Sequence, residues 1–453
     1  MKRFLLYRMF FFLIPIFCYP IFLIVFSFFQ TTSYSFFIII LSVVVLISFQ
    51  ISKLFEIEIF DSNPISKTLF IFAILTLGFA VYFFHLRTSI EPLGMWDAWA
   101  MWSPKTKYFV TQFLLGKKIE LQLTKWPHPD YPLGFPLFAS ALGILWKTWT
   151  PWIQIIASMY FYFLGFYLLI RIKAPFWSSV FSLLIYCTFY KWMMLSSDLC
   201  ADLPLSVYFG LIFYILFGSK EIYNLRFNTQ RTVFGFLLGT ISFWKNEGLI
   251  LSAVLFFILI IRSFKILQKD FYQKAAFFAV GFIIALSFIL FQKMNSASPF
   301  PEDFIRNESP ISSLFQLIEN LTKLDRWKTV MNEMIRFHLK TVFGFYILAF
   351  IYCLCYGNKE VRLGIAVLTF IYFVYDLLFI ITNVDLNWHL VTAYERIHLH
   401  LFLPFLICLS VASLEQKKNK NLICIFKKIK IFIKHFFPIS KRSNKKQSDA
   451  KAF

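Results

Sequence analysis

Long apolar runs alternate with short polar stretches along almost the whole chain. Runs of about 15 to 20 apolar residues have the length of helices that cross a bilayer or dip into it. Thirteen such runs can be read, at 9–29, 34–51, 68–86, 132–147, 151–171, 175–194, 203–218, 232–244, 248–262, 275–292, 337–357, 361–381 and 397–414. The pattern predicts an all-α, polytopic membrane protein.

The run at 132–147 is predicted not to cross the membrane. Its 16 residues make about 24 Å of helix, against about 30 Å for the hydrocarbon core of a bilayer. Pro132 begins the run and Pro136 lies inside it. If it crossed, most later Lys and Arg clusters would face outward, whereas short cytoplasmic loops normally collect them. We therefore predict a partly embedded or re-entrant helix, about twelve true spans and cytoplasmic termini.

This topology divides the chain into a membrane-embedded domain at 1–414 and a basic cytoplasmic tail at 415–453. The outward polar pieces are 87–131, 195–202, 245–247, 293–336 and 382–396. The first outward loop, taken with the embedded run, covers 87–150, and the late outward loop, 293–336, shows helical periodicity around 311–335. Within the tail, 421–437 is either a basic helix on the inner leaflet or part of a solvated charge run.

The composition supports a membrane protein and excludes some partners. Hydrophobic residues make up 59% of the chain and charged residues 15%, whereas soluble domains are about a quarter charged. The net charge of +21 comes from Lys and Arg between and after the apolar runs, as in loops that face anionic lipids. We therefore expect membrane lipids as partners and no nucleic acid. The seven cysteines have no metal-ligand spacing, so no cofactor or metal ligand set is readable, although carboxylates and a phosphate could together hold a divalent ion.

The longest polar interruption in the first 215 residues, 94–136, carries the densest set of candidate residues. Trp96, Trp99 and Trp102 recur every third residue, so on a helix they share one face suited to the membrane–water interface. Asp97 lies about 100° away from Trp96 on that helix, which places a carboxylate on its polar side. Pro104 predicts a break, and Lys105 and Lys107 follow it as candidate substrate-binding residues.

Two further acidic groups lie near the ends of apolar runs. Asp198 and Asp202, in SSDLCADLPLSVYF, precede the run at 203–218. Capping of that helix and a functional role are both consistent with their position. His128 and Asp130, in WPHPDYPLGFP, either form a rigid proline turn or contact substrate.

Two basic motifs are candidates for holding a phosphate group. Lys245 and Glu247, in KNEG, separate runs of 13 and 15 residues that are each too short to span, so the turn is predicted to lie below the outer surface. Lys245 either pairs with Glu247 or meets a bound phosphate.

Glu395 and Arg396 precede the last run and are followed by His398 and His400. Arg396 and His400 are four residues apart and share a face if the helix begins there. Arg is a natural phosphate ligand through its planar fork, although an ordinary interface arginine fits equally well. In the sequence no Walker A loop, GxSxG, HExxH or dinucleotide fingerprint occurs. Asp376 alone lies deep in a predicted span, so a relay of ionisable groups is not expected.

The order of these motifs resembles the GT-C glycosyltransferases, in particular the branch of protein O-mannosyltransferases and lipid A aminoarabinose transferases. These enzymes use polyprenyl-phosphate-linked sugars. The matching pieces are WDAW with Asp97, DYPLGFPLF, CADLPLSVYF with Asp202, and GFLLGTISFWKNEGLIL with Lys245, over roughly residues 65–265. The resemblance implies that Asp97 acts on the acceptor nucleophile, that Asp202 supports it, and that Lys245 holds the leaving phosphate.

The sequence departs from the family pattern in three respects. It has two additional spans before the acidic loop, no large soluble C-terminal domain is expected, and the late loop has only about 44 residues. We therefore predict an inner-membrane glycosyltransferase that moves a sugar from a polyprenyl-phosphate donor to an envelope glycan, lipid or protein acceptor on the outer side. The alternatives are a transporter or flippase of a lipid-linked sugar, and a non-catalytic subunit of an envelope assembly.

Overall fold

A computed structural model describes residues 9–28, 33–54, 66–121, 127–172, 174–218, 225, 227–267, 271–296, 310–342 and 344–412. Within these ranges the chain is helical and contains no β-strand. The tail at 415–453 and most of PEDFIRNESP, including residues 301–309, lie outside the described residues, so the predictions for them stay predictions.

The helices of the first half follow the apolar runs closely. They are α1 Phe10–Phe28, α2 Tyr34–Leu54, α3 Lys67–Ile90, α4 Ser103–Leu114, α5 Gly134–Leu145, α6 Pro151–Arg171, α7 Phe176–Thr188, α8 Tyr190–Ser197 and α9 Asp202–Phe217. A π-helical segment, Ala98–Trp102, leads directly into α4.

The second half begins with a short helix and continues with several longer ones. They are α10 Asn228–Gly239, α11 Asn246–Leu267, α12 Phe271–Met294, α13 Pro310–Thr322, α14 Leu324–Arg336, α15 Phe345–Tyr356, α16 Lys359–Ile381, α17 Leu386–Leu399 and α18 Phe402–Ala412. The 3-10 segment Thr240–Phe243 follows α10, and the π-helical segment Phe337–Thr341 follows α14. The helical periodicity predicted in the late loop is confirmed by α13 and α14.

Side-chain caps fix where three helices begin. The hydroxyl of Ser66 accepts a hydrogen bond from the backbone N–H of Leu69 at the start of α3. The side-chain oxygens of Asn358 and Asp385 do the same at the starts of α16 and α17. Such caps satisfy N–H groups that have no partner within the helix.

The chain is a helical, multi-pass membrane protein. Eight helices of the described part are long and apolar enough to cross a bilayer, and there are up to ten if each of two bent helix pairs forms one span. One bent pair is α8 with α9, at 115°. The twelve spans expected from the sequence are not confirmed. Helix α5 has only 12 residues, about 18 Å, in agreement with a segment too short to span.

Several predicted boundaries are wrong. The segment after KNEG is not a short helix, since α11 has 22 residues and is long enough to cross. The stretch 382–396 is not a loop, because α17 begins at Leu386 and buries an apolar face that includes Leu390. The run at 175–194 is two helices, α7 and α8, separated at Phe189 by extended backbone. Hydropathy alone missed this break because no Pro or Gly marks it.

Helix α9 is the centre of the fold. All 16 of its residues are buried, and it packs against α6, α11, α16 and α18. A helix that is apolar on every side is the one expected at the middle of a bundle. Its first residue, Asp202, is therefore held in the protein interior, with segments from both halves of the chain around it.

Candidate functional site

Asp202 is the buried centre of a cluster of charged side chains. Its Oδ1 accepts a hydrogen bond from Lys245 Nζ at 3.0 Å and lies 2.7 Å from Nε2 of His400. Its Oδ2 lies 3.5 Å from Nη2 of Arg396. Asp202 and His400 are fully buried, and Lys245 is nearly so. A carboxylate is stable at such depth because its oxygens have several donors.

Arg396 links this buried centre to a more accessible carboxylate. Its Nη1 lies 2.5 Å from Oδ2 of Asp97. The side chain of Asp97 is 19% exposed and that of Arg396 is 27% exposed, whereas Asp202 is 0% exposed. The Nε of Arg396 is buried and has no hydrogen-bond partner among the described residues. Asp97 and Arg396 are thus the members of the cluster that a ligand reaches first, and the guanidinium keeps one donor unused.

Lys245 is held by two carboxylates. Its Nζ lies 3.2 Å from Oε1 of Glu247, in the first turn of α11, in addition to its bond to Asp202. Burial disfavours the ammonium form, but the negative charges of Asp202 and Glu247 outweigh burial and raise the pKa of Lys245 above its usual range. The Lys245–Glu247 pair, one of the two alternatives predicted, is present, and Asp202 is a second partner that sequence spacing did not indicate.

The cluster carries more negative than positive charge. Asp97, Asp202 and Glu247 contribute three negative charges, and Lys245 and Arg396 contribute two positive ones, so the sum is −1 with a neutral His400. Lys245 has its counter-charges within the protein, from Asp202 and Glu247. A bound phosphate is therefore not required to explain its burial.

Four segments that are far apart in sequence form this cluster. Gly94 adopts φ of +75°, and a Cβ atom on it would lie 2.5 Å from the backbone oxygen of Asp198. This close approach brings the start of the Trp-rich stretch against the loop between α8 and α9. Asp97 and Asp202 thereby lie on neighbouring segments, although 105 positions separate them in sequence.

The side chain of Asp202 does not cap α9, although capping was one of its two predicted roles. Asp202 lies in the first turn of α9, where a negative charge is favourable. No side-chain cap is formed at this helix start, and the carboxylate is directed to Lys245, Arg396 and His400 instead. The shared face predicted for Arg396 and His400 agrees with this geometry, since both side chains reach the same carboxylate.

The predicted break at Pro104 is wrong. The π-helix Ala98–Trp102 continues into α4, and Pro104 lies in the first turn of α4, where a missing N–H is tolerated. The wider π-helical turn also separates the tryptophans. Trp96 and Trp99 are about half exposed, whereas Trp102 is fully buried.

Lys105 and His128 hold the fold of this region. Lys105 is fully buried and donates a hydrogen bond to the backbone oxygen of His128 at 2.7 Å. His128 has φ of 51°, a left-handed turn conformation, which agrees with the structural interpretation of the proline turn. Lys107 is different, because it is exposed and its Nζ lies 5.2 Å from the centre of the Trp149 ring.

Asp130 belongs to a second polar cluster next to the first. Its Oδ2 accepts a hydrogen bond from Asn246 Nδ2 at 2.7 Å and lies 3.7 Å from Lys293 Nζ. Lys293 also donates to Oδ1 of Asn246 at 2.9 Å. Asn246 follows Lys245 directly, so the two clusters share a backbone segment. Lys293 was missed from the sequence because it ends an apolar run like an ordinary interface lysine.

Asp198 and Glu395 have partners outside the central cluster. Asp198 lies 3.7 Å from Arg87 Nη2, and Arg87 also pairs with Glu91 at 2.6 Å. The hydrogen bond from Arg87 lowers the pKa of Glu91. Glu395 pairs with Lys191 at 2.7 Å and accepts a hydrogen bond from Thr341 Oγ1 at 2.7 Å. Arg87 and Lys191 carry no sequence signal beyond their charge.

Asp376 is not an isolated ionisable group. The hydroxyl of Tyr394 donates to its Oδ1 at 2.7 Å, and Nε2 of His398 lies 3.3 Å from the same oxygen. The prediction that Asp376 alone lies deep in a span is therefore wrong. The helix of Tyr394 and His398 begins at Leu386, which places both residues well inside the candidate span Leu386–Ala412 instead of before or at the start of the predicted run 397–414.

The described residues contain no group of three or more His, Cys, Asp or Glu side chains placed to hold a metal ion. Comparison with protein-family models, with curated proteins and with solved structures finds no match for this chain. The fold and the site define a helical, multi-pass membrane protein. Its candidate site is a partly accessible carboxylate–arginine pair that lies on a buried ionic cluster. The resemblance to the GT-C enzymes stays a prediction.

Proposed function

We propose that this chain is an inner-membrane glycosyltransferase of GT-C-like architecture, with about twelve spans, cytoplasmic termini and an outward-facing site. It would transfer a sugar from a polyprenyl-phosphate donor to an envelope glycan, lipid or protein. The observation that supports this most is the Asp97–Arg396 pair, 2.5 Å apart and partly exposed. Behind it lies the buried cluster of Asp202, Lys245 and His400. In such a transfer a carboxylate can take the acceptor proton, and a cation can stabilise the charge that develops on the phosphate.

The reaction exchanges one bond at the anomeric carbon of the sugar. The acceptor hydroxyl or amine attacks that carbon, and the bond from the carbon to the phosphate oxygen breaks with its electron pair going to the phosphate. The acceptor proton passes to Asp97. Because negative charge on the phosphate grows as the sugar leaves, a fixed cation stabilises the transition state more than the ground state.

Arg396 is the cation best placed to meet the phosphate. Its side chain is 27% exposed and that of Lys245 is 2% exposed. Its planar fork suits a phosphate, and its Nε is unused by the described residues. When Arg396 turns towards the phosphate, Asp97 loses its ion pair and its carboxylate is free for the acceptor proton. Asp202 then acts as a positioning residue that holds Arg396 from behind, and Lys245 pairs with Asp202.

A transporter of the lipid-linked sugar is the second candidate. The bend of 115° between α8 and α9 and the buried group of Asp376, Tyr394 and His398 support it. Bent helices and paired ionisable side chains inside the membrane are common features of transporters.

Substitution of Arg396 tests the assignment. Arg396→Gln in proteoliposomes should slow release of polyprenyl phosphate from a labelled donor by roughly 10- to 150-fold, the value of a charge-assisted hydrogen bond. Arg396→Lys should retain part of the rate. The matched control is Arg362→Gln, an exposed arginine on α16. Unchanged release in Arg396→Gln would remove this residue from the mechanism, and intact donor crossing the bilayer without release would favour the transporter.

A further inference from the structure

A groove lies along the first turns of α4, next to the Trp-rich stretch. It has a volume of about 430 Å³ and is lined by, among others, Trp99, Ser103, Lys107, Tyr108, Gln112 and Trp149. We call it the Trp99–Trp149 groove. Its volume is within the range of ligand sites for small molecules. Trp99 stands two residues after Asp97, within the π-helical segment, so the groove adjoins the segment that carries the accessible carboxylate.

Two buried polar groups in the groove have no hydrogen-bond partner among the described residues. Ser103 is 3% exposed, and its Oγ forms no hydrogen bond with any described residue. The indole N–H of Trp149 is also buried and without a hydrogen-bond acceptor in that part of the chain. Buried polar groups in folded proteins nearly always have a partner. Both groups belong to residues that line the groove, so an acceptor atom of a ligand could complete them.

Lys107 gives the groove a positive charge. Its side chain is exposed, and its Nζ lies 5.2 Å from the centre of the Trp149 ring. No carboxylate of the described residues lies within ion-pair distance of it. A cation above an aromatic ring, beside two hydrogen-bond donors, can receive a ligand that presents one negative charge and several oxygen acceptors.

We propose that the Trp99–Trp149 groove binds the acceptor as a sugar ring that carries a negatively charged group. The indole rings offer flat apolar surfaces with polar edges, which match the apolar face and hydroxyl rim of a sugar. Ser103 and Trp149 contact ring hydroxyls, and Lys107 contacts the anionic group. A bare phosphate is a poorer match, because it is usually held by several cations or by a helix N-terminus. Only one part of this proposal rests on the proposed glycosyl transfer, namely that the ligand is the acceptor.

Direct binding tests the groove. Full-length protein in phosphatidylcholine nanodiscs is titrated with two fluorescent tetrasaccharides, one of alternating glucuronic acid and N-acetylglucosamine and the other neutral chitotetraose. The acidic probe should bind about tenfold more tightly. Lys107→Met should remove that preference and leave the neutral probe unaffected. Lys117→Met, an exposed lysine beyond the end of α4, is the matched control and should leave both affinities unchanged.

Two further variants test the buried donors of Ser103 and Trp149. Ser103→Ala and Trp149→Phe, which keeps an aromatic ring, should weaken both probes severalfold with unchanged thermal unfolding. Equal affinities of the two probes, or Lys107→Met behaving like Lys117→Met, would overturn the proposal. Loss of neutral-probe binding in phosphatidylglycerol nanodiscs would instead identify a lipid-headgroup site, because repulsion by the anionic surface does not act on that probe.

The binding assay contains no lipid-linked donor, so it separates the two proposals. Acidic-probe binding without any glycosyl transfer would leave the groove standing and refute the enzyme. Transfer that depends on Asp97, without binding in the groove, would support the enzyme and refute the groove.

Discussion

Arg396 has two carboxylate neighbours that differ in their access to solvent. Asp97 is accessible to a ligand, whereas Asp202 is enclosed by Lys245, His400 and Arg396 itself. The proposed mechanism therefore gives the same residue type two roles. In it Asp97 takes the acceptor proton, and Asp202 orients the cations. The sequence placed both in outward-facing polar pieces but could not separate these roles, because burial is decided by segments about 200 residues further along the chain.

Breaking the buried pair should destabilise the protein. Asp202→Asn leaves Lys245 without one of its counter-charges, and loss of one partner from a buried ion pair costs about 3–5 kcal/mol. We expect Lys245→Met to be similarly destabilising, and the double variant to lose less than the sum, since the two residues are coupled. Thermal unfolding in detergent micelles measures this.

The exposed pair of Lys323 and Glu319 provides the control. Its side chains are 46% and 62% exposed, so Lys323→Met should change stability by about 1 kcal/mol or less. If the losses of stability from Asp202→Asn and Lys245→Met added up in the double variant, this would contradict direct pairing of the two side chains.

At the scale of elements, the closest helix contact is between α10 and α12. A Cβ atom on Gly281 would lie 1.8 Å from the backbone oxygen of Thr232, and one on Gly235 would lie 2.0 Å from the backbone oxygen of Phe278. Small residues allow backbones to approach in this way inside membranes. The two glycines hold α12 against α10, and Lys293 near the end of α12 reaches Asp130.

Gly281→Ala should therefore force the two helices apart. Insertion of a methyl group into a closely packed contact costs typically 1–3 kcal/mol, visible as a lower unfolding temperature and weaker Asp130-dependent stability. Gly78→Ala is the matched control, because nothing lies within 4 Å of a Cβ at that position in α3. A Gly281→Ala protein as stable as Gly78→Ala would show that the contact is looser than described.

The elements that sequence could predict are those with a clean local signal. Long apolar runs gave α1, α2, α3, α6 and α12 nearly to their ends. The sequence predicts a loop at 382–396, because Asn387, His389 and Arg396 interrupt the hydrophobic pattern. Their helix is stabilised by a cap at Asp385 and by buried partners such as Asp376, which are contacts that no local window contains.

The candidate site, too, could be predicted only where residue type and position give a local signal. Asp97, Lys245 and Arg396 stood out by residue type and position, and the structure brings them into one connected cluster with Asp202. Lys105 and Glu395 looked equally promising. Their side chains are directed to His128 and to Lys191, and only the three-dimensional arrangement shows this.

At the scale of the whole molecule, the account depends on which side of the membrane the cluster faces. Helix α5 is too short to cross, at 12 residues, so Gly116 and Thr150 should lie on the same, outward side. Reporters of compartment fused after these two positions should both read outside. Opposite readings would show that α5 crosses, and every later loop would change side.

The measurement that tests the central claim most directly is single-turnover release from a lipid-linked sugar. Purified protein in liposomes is mixed with labelled polyprenyl-phosphate sugars and a total envelope extract as the source of acceptors. The unmodified protein should release polyprenyl phosphate, and Asp97→Asn should slow release by about 10²- to 10⁴-fold, as expected for loss of a general base. Asp325→Asn, an exposed aspartate on α14, should release at the full rate. Release by Asp97→Asn at the rate of the unmodified protein would contradict the account.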